Sequence, residues 1–278
     1  MQVFKVEGAR ATLFPDGPKW NGASAMTVGR FSCNGPEAGA EVLGQIEARA
    51  RSDGASGLIG PMDGDTWHSY RLVTQAGTRP PFLMEPRSNA SDNEAFARAG
   101  FVPISSYFSA IVDLHVLDQR MPEPPADLTV ECWDGRDEEA LFAQVHALSS
   151  DAFSRNPFFK PIGFDAFLDM YRPVVPLLRP ELILFARAPD GALRGFLFGV
   201  PNYAEGPQPG AVILKTYASL QKGAGHALSA RFYQEAKRLG YRSAIHALIH
   251  DDNLSALRSA GNGAKVFRRY ALMGRRLG

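Results

Sequence analysis

A strand-like run, Ile213 to Ser219, leads through Lys222-Gly-Ala-Gly225 into an amphipathic helical pattern, and this stretch holds the residue types best suited to bind a charged ligand. Gly223 and Gly225 remove side chains where a backbone must approach an anion. The first amides of a following helix point outward at the positive end of its dipole. A pyrophosphate can sit on such a turn; a tight strand-to-helix connection needs the same glycines and no ligand. Further along, Ser243 to Ile249 ends in His250, which titrates near neutrality and can take a proton from a substrate directly or through water. Asp251 and Asp252 can raise its pKa or hold a cation, and Asp252 can equally cap a helix. His246 reads as a core histidine bonded to a neighbour. Tyr270 can donate a proton or simply pack, and Arg268, Arg269, Arg275 and Arg276 can hold a phosphate or form a solvated face.

A second group lies near the start of the chain, in Gly60-Pro-Met-Asp-Gly-Asp-Thr-Trp-His-Ser-Tyr-Arg71. Asp65 can cap a short helix on which Trp67 and Arg71 fall on one side, with Tyr70 nearby. These residues can line a substrate cleft or pack a contact between domains. Phe158 and Phe159, in the loop Asn156-Pro-Phe-Phe-Lys-Pro161, suit an apolar or aromatic ligand or close a core.

The elements that must carry these groups follow from periodicity. In the second half Leu128–Trp133 reads as a strand, Asp137–Leu148 as a helix, Gly163–Leu178 as a helix interrupted at Pro173 and Pro176, and Leu182–Ala188 and Ala192–Val200 as a hairpin through Pro189-Asp-Gly191. Ala211–Ser219, the glycine turn with its helix to Leu239, Ser243–Ile249, a short helix from Asp252 and a strand Val266–Arg276 complete the order β-α-α-β-β-β-α-β-α-β. In the first half Thr27–Cys33, Ser56–Gly60, Phe82–Glu85 and Phe101–Leu114 read as strands, and Glu37–Ser52 and Asn93–Ala99 as helices. Helix, glycine cap and apolar strand thus occur in both halves, as expected of a duplicated domain. The Pro-rich segment Met121–Asp127 divides them, giving domains at 1–120 and 128–278 joined by a linker at 121–127.

Composition bounds the function. The chain of 278 residues is long enough for two modest cores. A net charge of +1 supplies no field to recruit nucleic acid or an anionic membrane. Cys33 and Cys132 stand far apart without metal-ligand spacing, so no metal is expected, and a reducing cytoplasm fits. No apolar run reaches the ~20 residues of a membrane span.

The element order, with Gly223-Ala-Gly-His-Ala-Leu228 after the strand and Asn253-Leu-Ser-Ala256 at the later helix start, resembles the GNAT superfamily of acyl-CoA-dependent N-acyltransferases. The closest architectural likeness is to tandem GNAT proteins in which one half has lost its acyl-CoA site, and Gly60–Arg71 looks like a pattern of such N-terminal halves. The resemblance implies an α/β (α+β) fold: two GNAT-like domains, each a mixed twisted sheet flanked by helices, the N-terminal one degenerate. It implies acetyl-CoA or another acyl-CoA held by Tyr217, Ala218, Ser219, Lys222, Gly223, Ala224, Gly225, His226 and Asn253, between strands that splay apart.

It further implies acyl transfer to a small-molecule or peptide amine, with His250 and Tyr270 as catalytic candidates, an amide near Ala218 stabilising the oxyanion, and Trp67, Tyr70, Arg71, Phe158 and Phe159 toward the acceptor. Two departures stand out: Leu220 occupies the usual Gln/Arg position, and Ala260 replaces the tyrosine that commonly protonates the leaving thiolate. A ligand-binding protein without catalysis and a Fem-like aminoacyl transferase, which needs a basic groove, are the rival readings.

Overall fold

A computed structural model of the chain describes residues 1–117 and 125–278. In chain order the elements are β1 (Gln2–Val6), β2 (Ala9–Phe14), β3 (Lys19–Trp20), β4 (Ala23–Ser24), β5 (Met26–Cys33), α1 (Pro36–Ser52), β6 (Gly57–Gly60), β7 (Leu72–Gln75), α2 (Ala90–Arg98) and β8 (Val102–Asp113). They continue as β9 (Thr129–Cys132), α3 (Glu138–Phe153), α4 (Phe164–Tyr171), β10 (Ile183–Arg187), β11 (Leu193–Pro201), β12 (Ala211–Ser219), α5 (Ala224–Arg238), β13 (Ser243–His250), α6 (Leu254–Gly261) and β14 (Lys265–Arg276). The order read from periodicity in the second half is the order observed.

The chain forms two compact units, and they are not consecutive. The first comprises Met1–Phe108, Asn156–Lys160 and Phe267–Gly278; the second comprises Ser109–Arg155 and Pro161–Val266. This differs from the boundary expected at 121–127, of which 121–124 lie outside the described residues. The chain leaves the first unit within β8 and returns to it within β14, so the last strand of the expected C-terminal domain belongs mostly to the N-terminal unit.

In the first unit the strands lie in the order β1-β2-β5-β6-β14. β5 and β6 are parallel neighbours, while β6 and β7 pair antiparallel with Met273–Arg276 and Arg269–Ala271 of β14. α1 forms because Val42, Leu43, Ile46 and Ala50 recur at helical spacing and are fully buried on the sheet. Pro36 opens it and Gly54, at φ +75°, turns the chain out of it. The core adds Leu13, Val28, Leu58, Phe96 and Phe101.

The second unit orders its strands β9-β10-β11-β12-β13, followed by the later part of β8. β9 to β12 are antiparallel neighbours, and β12 and β13 are parallel. Pro189-Asp-Gly191 does close the hairpin, with Gly191 at φ +81° and the Asp190 carboxylate accepting the Ala192 amide. α5 buries Ala224, Ala227, Leu228, Phe232 and Ala236 against Leu184, Leu197, Val212 and Leu214.

Several expectations are corrected. The segment Phe82–Glu85 is a turn, not a strand, because Glu85 folds its own carboxylate back onto the Phe82 amide. Residues 61–70 form bends and no helix: Asp65 does accept the Trp67 and His68 amides, but Arg71 at φ +90° lies outside helical conformation. The interruption expected at Pro173 and Pro176 does occur: the helix stops at Tyr171, and both prolines fall in a 3-10 segment beyond it. The strands β1 and β2, joined at Gly8 with φ +78°, were not expected from the pattern of the first 26 residues.

Candidate functional site

The parallel ladder of β12 and β13 begins at Ala211↔Ser243 and ends at Leu214↔His246. Both strands continue, β12 to Ser219 and β13 to His250, so beyond Leu214 they separate. Two local features open this gap. β12 changes register against β11 between Phe198 and Gly199, leaving Lys215 as an extra residue that bends the strand. β13 adopts φ +58° at Leu248, whose amide is taken by the Ser109 hydroxyl at 3.1 Å, on the side away from β12.

Which backbone groups line the gap follows from alternation. The Leu220 amide bonds Arg194 O on β11 at 2.8 Å, and Ala218 pairs with Phe196. Ala218 therefore turns its N–H and C=O to β11, and Tyr217 and Ser219 turn theirs to the open edge. The N–H of Ala218 itself is thus taken by β11, and the gap-facing amides near it are those of Tyr217 and Ser219.

At the end of β12 the chain turns through Gly223, at φ +90°, into α5. Amides of His226 and Ala227 fold back onto Gly223 O and that of Ala224 onto Gln221 O; the Gly225 amide has no hydrogen-bond partner among the described residues. Lys222 and His226 are exposed on the turn, and the first turn of α5 carries no acid. Two neighbours press on it. A Cβ on Gly223 would stand 2.7 Å from the Pro125 ring, and one on Gly225 would stand 2.5 Å from Arg258 Nη1 and 3.3 Å from the Tyr217 ring. Arg258, on α6, also donates to Tyr217 Oη at 3.4 Å. Its guanidinium therefore faces the positive end of a helix, an unfavourable placement for a cation unless an anion joins them. Arg258 escaped sequence reasoning, although it is the one charged residue of α6 and could have been noticed as such.

Asn253 takes the N-cap position of α6 without making a side-chain capping bond. His250 ends β13 with Nδ1 accepting the Asp252 amide at 3.1 Å, while the Asp252 carboxylate stays 4.0 Å from it. A neutral ring so held carries its proton on Nε2. His246, four residues earlier, is the core histidine it was read to be. Its Nε2 accepts from Tyr233 Oη at 2.7 Å and its Nδ1 meets Ser259 Oγ at 2.8 Å. Burial pushes its pKa down from 6.5 to about 4, and pushes the Tyr233 hydroxyl up.

The other predicted residues belong to the first unit. Tyr270 is buried on β14 and donates to Glu85 Oε1, with Arg268 on the other oxygen of the same carboxylate. Its hydroxyl is thus committed to Glu85 within the first unit, which does not favour the proton-donor role expected of it. The remaining arginines of β14 are likewise engaged: Arg275 with Glu47 and Ala99 O, Arg276 stacked on Trp20 at 4.0 Å. Trp67 donates to Lys160 O at 2.8 Å and meets Phe159 edge-on at 5.9 Å. Tyr70 and Arg71 meet Tyr107, and Phe158 adopts φ +61° in the same unit. Asp65 binds His68 Nδ1 at 2.8 Å, and that bond raises the His68 pKa. Burial alone would raise Asp65, but His68 and the two amides outweigh it and hold the carboxyl low. Among the described residues no cluster of metal-ligating side chains occurs and no helix is long and apolar enough to cross a membrane.

A mixed sheet whose parallel middle pair splays above a glycine-led helix is the fold of the GCN5-related N-acetyltransferases, here in tandem. A GCN5-related N-acetyltransferase from Sphaerobacter thermophilus matches with a TM-score of 0.57 at 18% identity, over 97% of this chain and 77% of its own. A tandem GNAT protein of the clavulanic acid biosynthesis pathway matches with a TM-score of 0.58 at 13% identity, over 98% and 79%. A GCN5-related N-acetyltransferase from Anabaena variabilis gives 0.58 at 10% identity, over 98% of this chain and 60% of its own. No family model and no curated protein matches the sequence.

Proposed function

We propose that the second unit binds an acyl-CoA, acetyl-CoA or a close relative, and transfers its acyl group to an amine. One observation carries this reading: the β12–β13 ladder stops at Leu214↔His246 while both strands run on, above a helix that starts at Gly223. The residues present fit the ligand. The gap-facing groups of Tyr217 and Ser219 suit the amides of a pantetheine arm, which would add to β12 as a strand does. The unpartnered Gly225 amide, the dipole of α5 and the Arg258 guanidinium suit a diphosphate.

When bound, such a cofactor supplies an activated thioester, and the protein's part is to orient it, stabilise developing charge and move protons. The oxyanion contact expected near Ala218 is then the N–H of Tyr217 or Ser219. His250, at the end of β13, is the candidate to move a proton in the reaction, since Ala260 supplies no hydroxyl. The two cysteines are free, in keeping with a reducing, cytoplasmic setting.

Calorimetry of the full chain should give micromolar binding of CoA, and no binding at millimolar CoA would reject the proposal. A second reading, binding without catalysis, is favoured by Arg258 lying on Gly225. Turnover of acetyl-CoA against a panel of amines separates the two. The aminoacyl-transferase reading needs an extended basic groove, and Arg49, Arg51, Arg268, Arg275 and Arg276 are each bonded or stacked within the first unit, so the acyl-CoA reading is preferred.

A further inference from the structure

The first unit contains two buried arginines, and they are treated differently. Arg268, 4% exposed, meets the Glu85 carboxylate at 2.5 Å, Ala76 O at 2.7 Å and Arg79 O. Its charge is neutralised and its donors are used, as a structural buried cation requires. Arg71, 7% exposed, has no such set. Its guanidinium lies between two aromatic rings, 3.8 Å from the centroid of Tyr70 and 3.9 Å from that of Tyr107. Its one side-chain hydrogen bond among the described residues runs from Nη2 to Tyr70 Oη; Nε is buried with no partner, and no carboxylate pairs with it. Burial pushes the Tyr70 hydroxyl up to about 12, so that group stays neutral and does not serve as counter-ion.

The backbone has gone to some length to place this side chain. Arg71 sits at φ +90°, a conformation disfavoured for any residue with a Cβ, and its amide is anchored on Pro61 O at 3.0 Å. Two ring faces hold the guanidinium plane, and apart from the Nη2 bond to Tyr70 the donors along its edge have no partner among the described residues. That edge is a flat fork of parallel N–H groups matched to a planar acceptor with two oxygens.

We propose that the first unit carries a carboxylate-binding site centred on Arg71, with Tyr70 and Tyr107 as its walls. A single guanidinium between aromatic faces suits a small organic acid, whose body can lie on apolar surface, better than inorganic phosphate, whose charge calls for more donors.

The test uses the full chain without CoA, with phenylacetate, phenylacetamide and inorganic phosphate as probes and calorimetry as readout. Phenylacetate should bind saturably and at least about tenfold more tightly than phenylacetamide, because the amide presents a neutral acceptor to a buried cation. Arg71→Gln should erase that preference, and Arg71→Lys, which keeps the charge but loses the fork, should keep only part of it. Equal binding of acid and amide, no binding of the acid at tens of millimolar, or tighter binding of phosphate than of the acid would each overturn the proposal. If Arg71→Gln fails to fold, the acid-to-amide ratio of the native chain decides alone. CoA affinity is measured separately, so a chain that binds the acid but not CoA sinks the acyltransferase reading and leaves this one standing.

Discussion

The two units repeat one strand-helix-strand crossover, β5-α1-β6 in the first and β12-α5-β13 in the second, and they differ at the place where a ligand would enter. In both, the parallel ladder is short: Met26↔Leu58 and Thr27↔Ile59 in one, four pairs ending at Leu214↔His246 in the other. In the first unit the chain after β6 turns back and closes the opening. The Met62 amide bonds Val28 O at 2.7 Å, and the Arg30 amide bonds the Asp63 carboxylate at 2.7 Å. In the second unit β13 turns the other way, with Leu248 held by Ser109. The helix starts differ in the same sense. α1 begins with Pro36, which has no amide, and Glu37, which places negative charge at the positive end of the helix. α5 begins with Ala224-Gly-His and no acid. One crossover has been filled and neutralised by its own sequence; the other keeps an edge and a helix end for a ligand.

The sharpest way to break this contrast is to fill the second opening. Gly225→Leu puts a side chain where Arg258 Nη1 and the Tyr217 ring already approach, and the affinity for CoA should fall by at least about a hundredfold, or ~3 kcal/mol. The matching change in the first unit, Gly35→Leu, meets nothing nearer than Glu37 at 3.8 Å and should leave CoA affinity unchanged. Calorimetry on both variants decides, and equal losses would mean that the crossovers are not functionally distinct.

Forcing the first opening should cost stability and not binding. A Cβ on Gly29 would fall 2.2 Å from the Asp63 carboxylate and 2.6 Å from Met62 O, both parts of the closure. Gly29→Ala should therefore destabilise the chain by about 1–3 kcal/mol, as overpacking does, and the protein that remains folded should bind CoA as before. Urea midpoints measure the first outcome, and calorimetry the second.

Much of this contrast was legible in the sequence, and the reasons for the rest are physical. The strand, glycine turn and helix of the second unit announce themselves through local period and glycine, so β12, α5 and β13 fall where periodicity puts them. Tyr270 and Arg268 could not be assigned from their strand, because what decides their role is Glu85, which pairs with them only after the chain has folded back. The short helix expected around Arg71 does not form, since the positive φ of that residue leaves no local sequence mark. The interleaving of the units by β8 and β14 is likewise a property of long-range pairing that periodicity does not contain.

A pH experiment sharpens the comparison one step further. The residue at the last ladder position is Ile59 in the first unit and His246 in the second. His246 is depressed from 6.5 to about 4 by burial, so the unfolded chain binds the extra proton first as pH falls. The stabilisation it confers is complete above 6.5 and is lost as pH drops from there towards 4, by up to about 3 kcal/mol at ~1.4 kcal/mol for each pH unit. Replacing His246 with Asn should flatten that part of the stability profile. Amide exchange at low pH should open β13 before β6.

The smallest effect discriminates most finely, because it concerns the cation that lies on the open helix end. Arg258 faces Gly225 and the α5 dipole with no carboxylate on it among the described residues, and it reaches Tyr217 Oη by one long hydrogen bond. Two roles for it predict opposite signs. If the guanidinium waits for a diphosphate, Arg258→Gln should weaken CoA binding about tenfold, ~1.4 kcal/mol, and make the affinity less sensitive to salt, since one charge pair is removed. If it is a stopper that any ligand must displace, the same variant should bind CoA more tightly, and the salt dependence should not change. The first outcome makes α6 a second wall of the donor site, in a helix that has Ala260 where relatives of this fold commonly hold a tyrosine; the second would mean that the second unit too has begun to close, by a side chain where the first used its backbone.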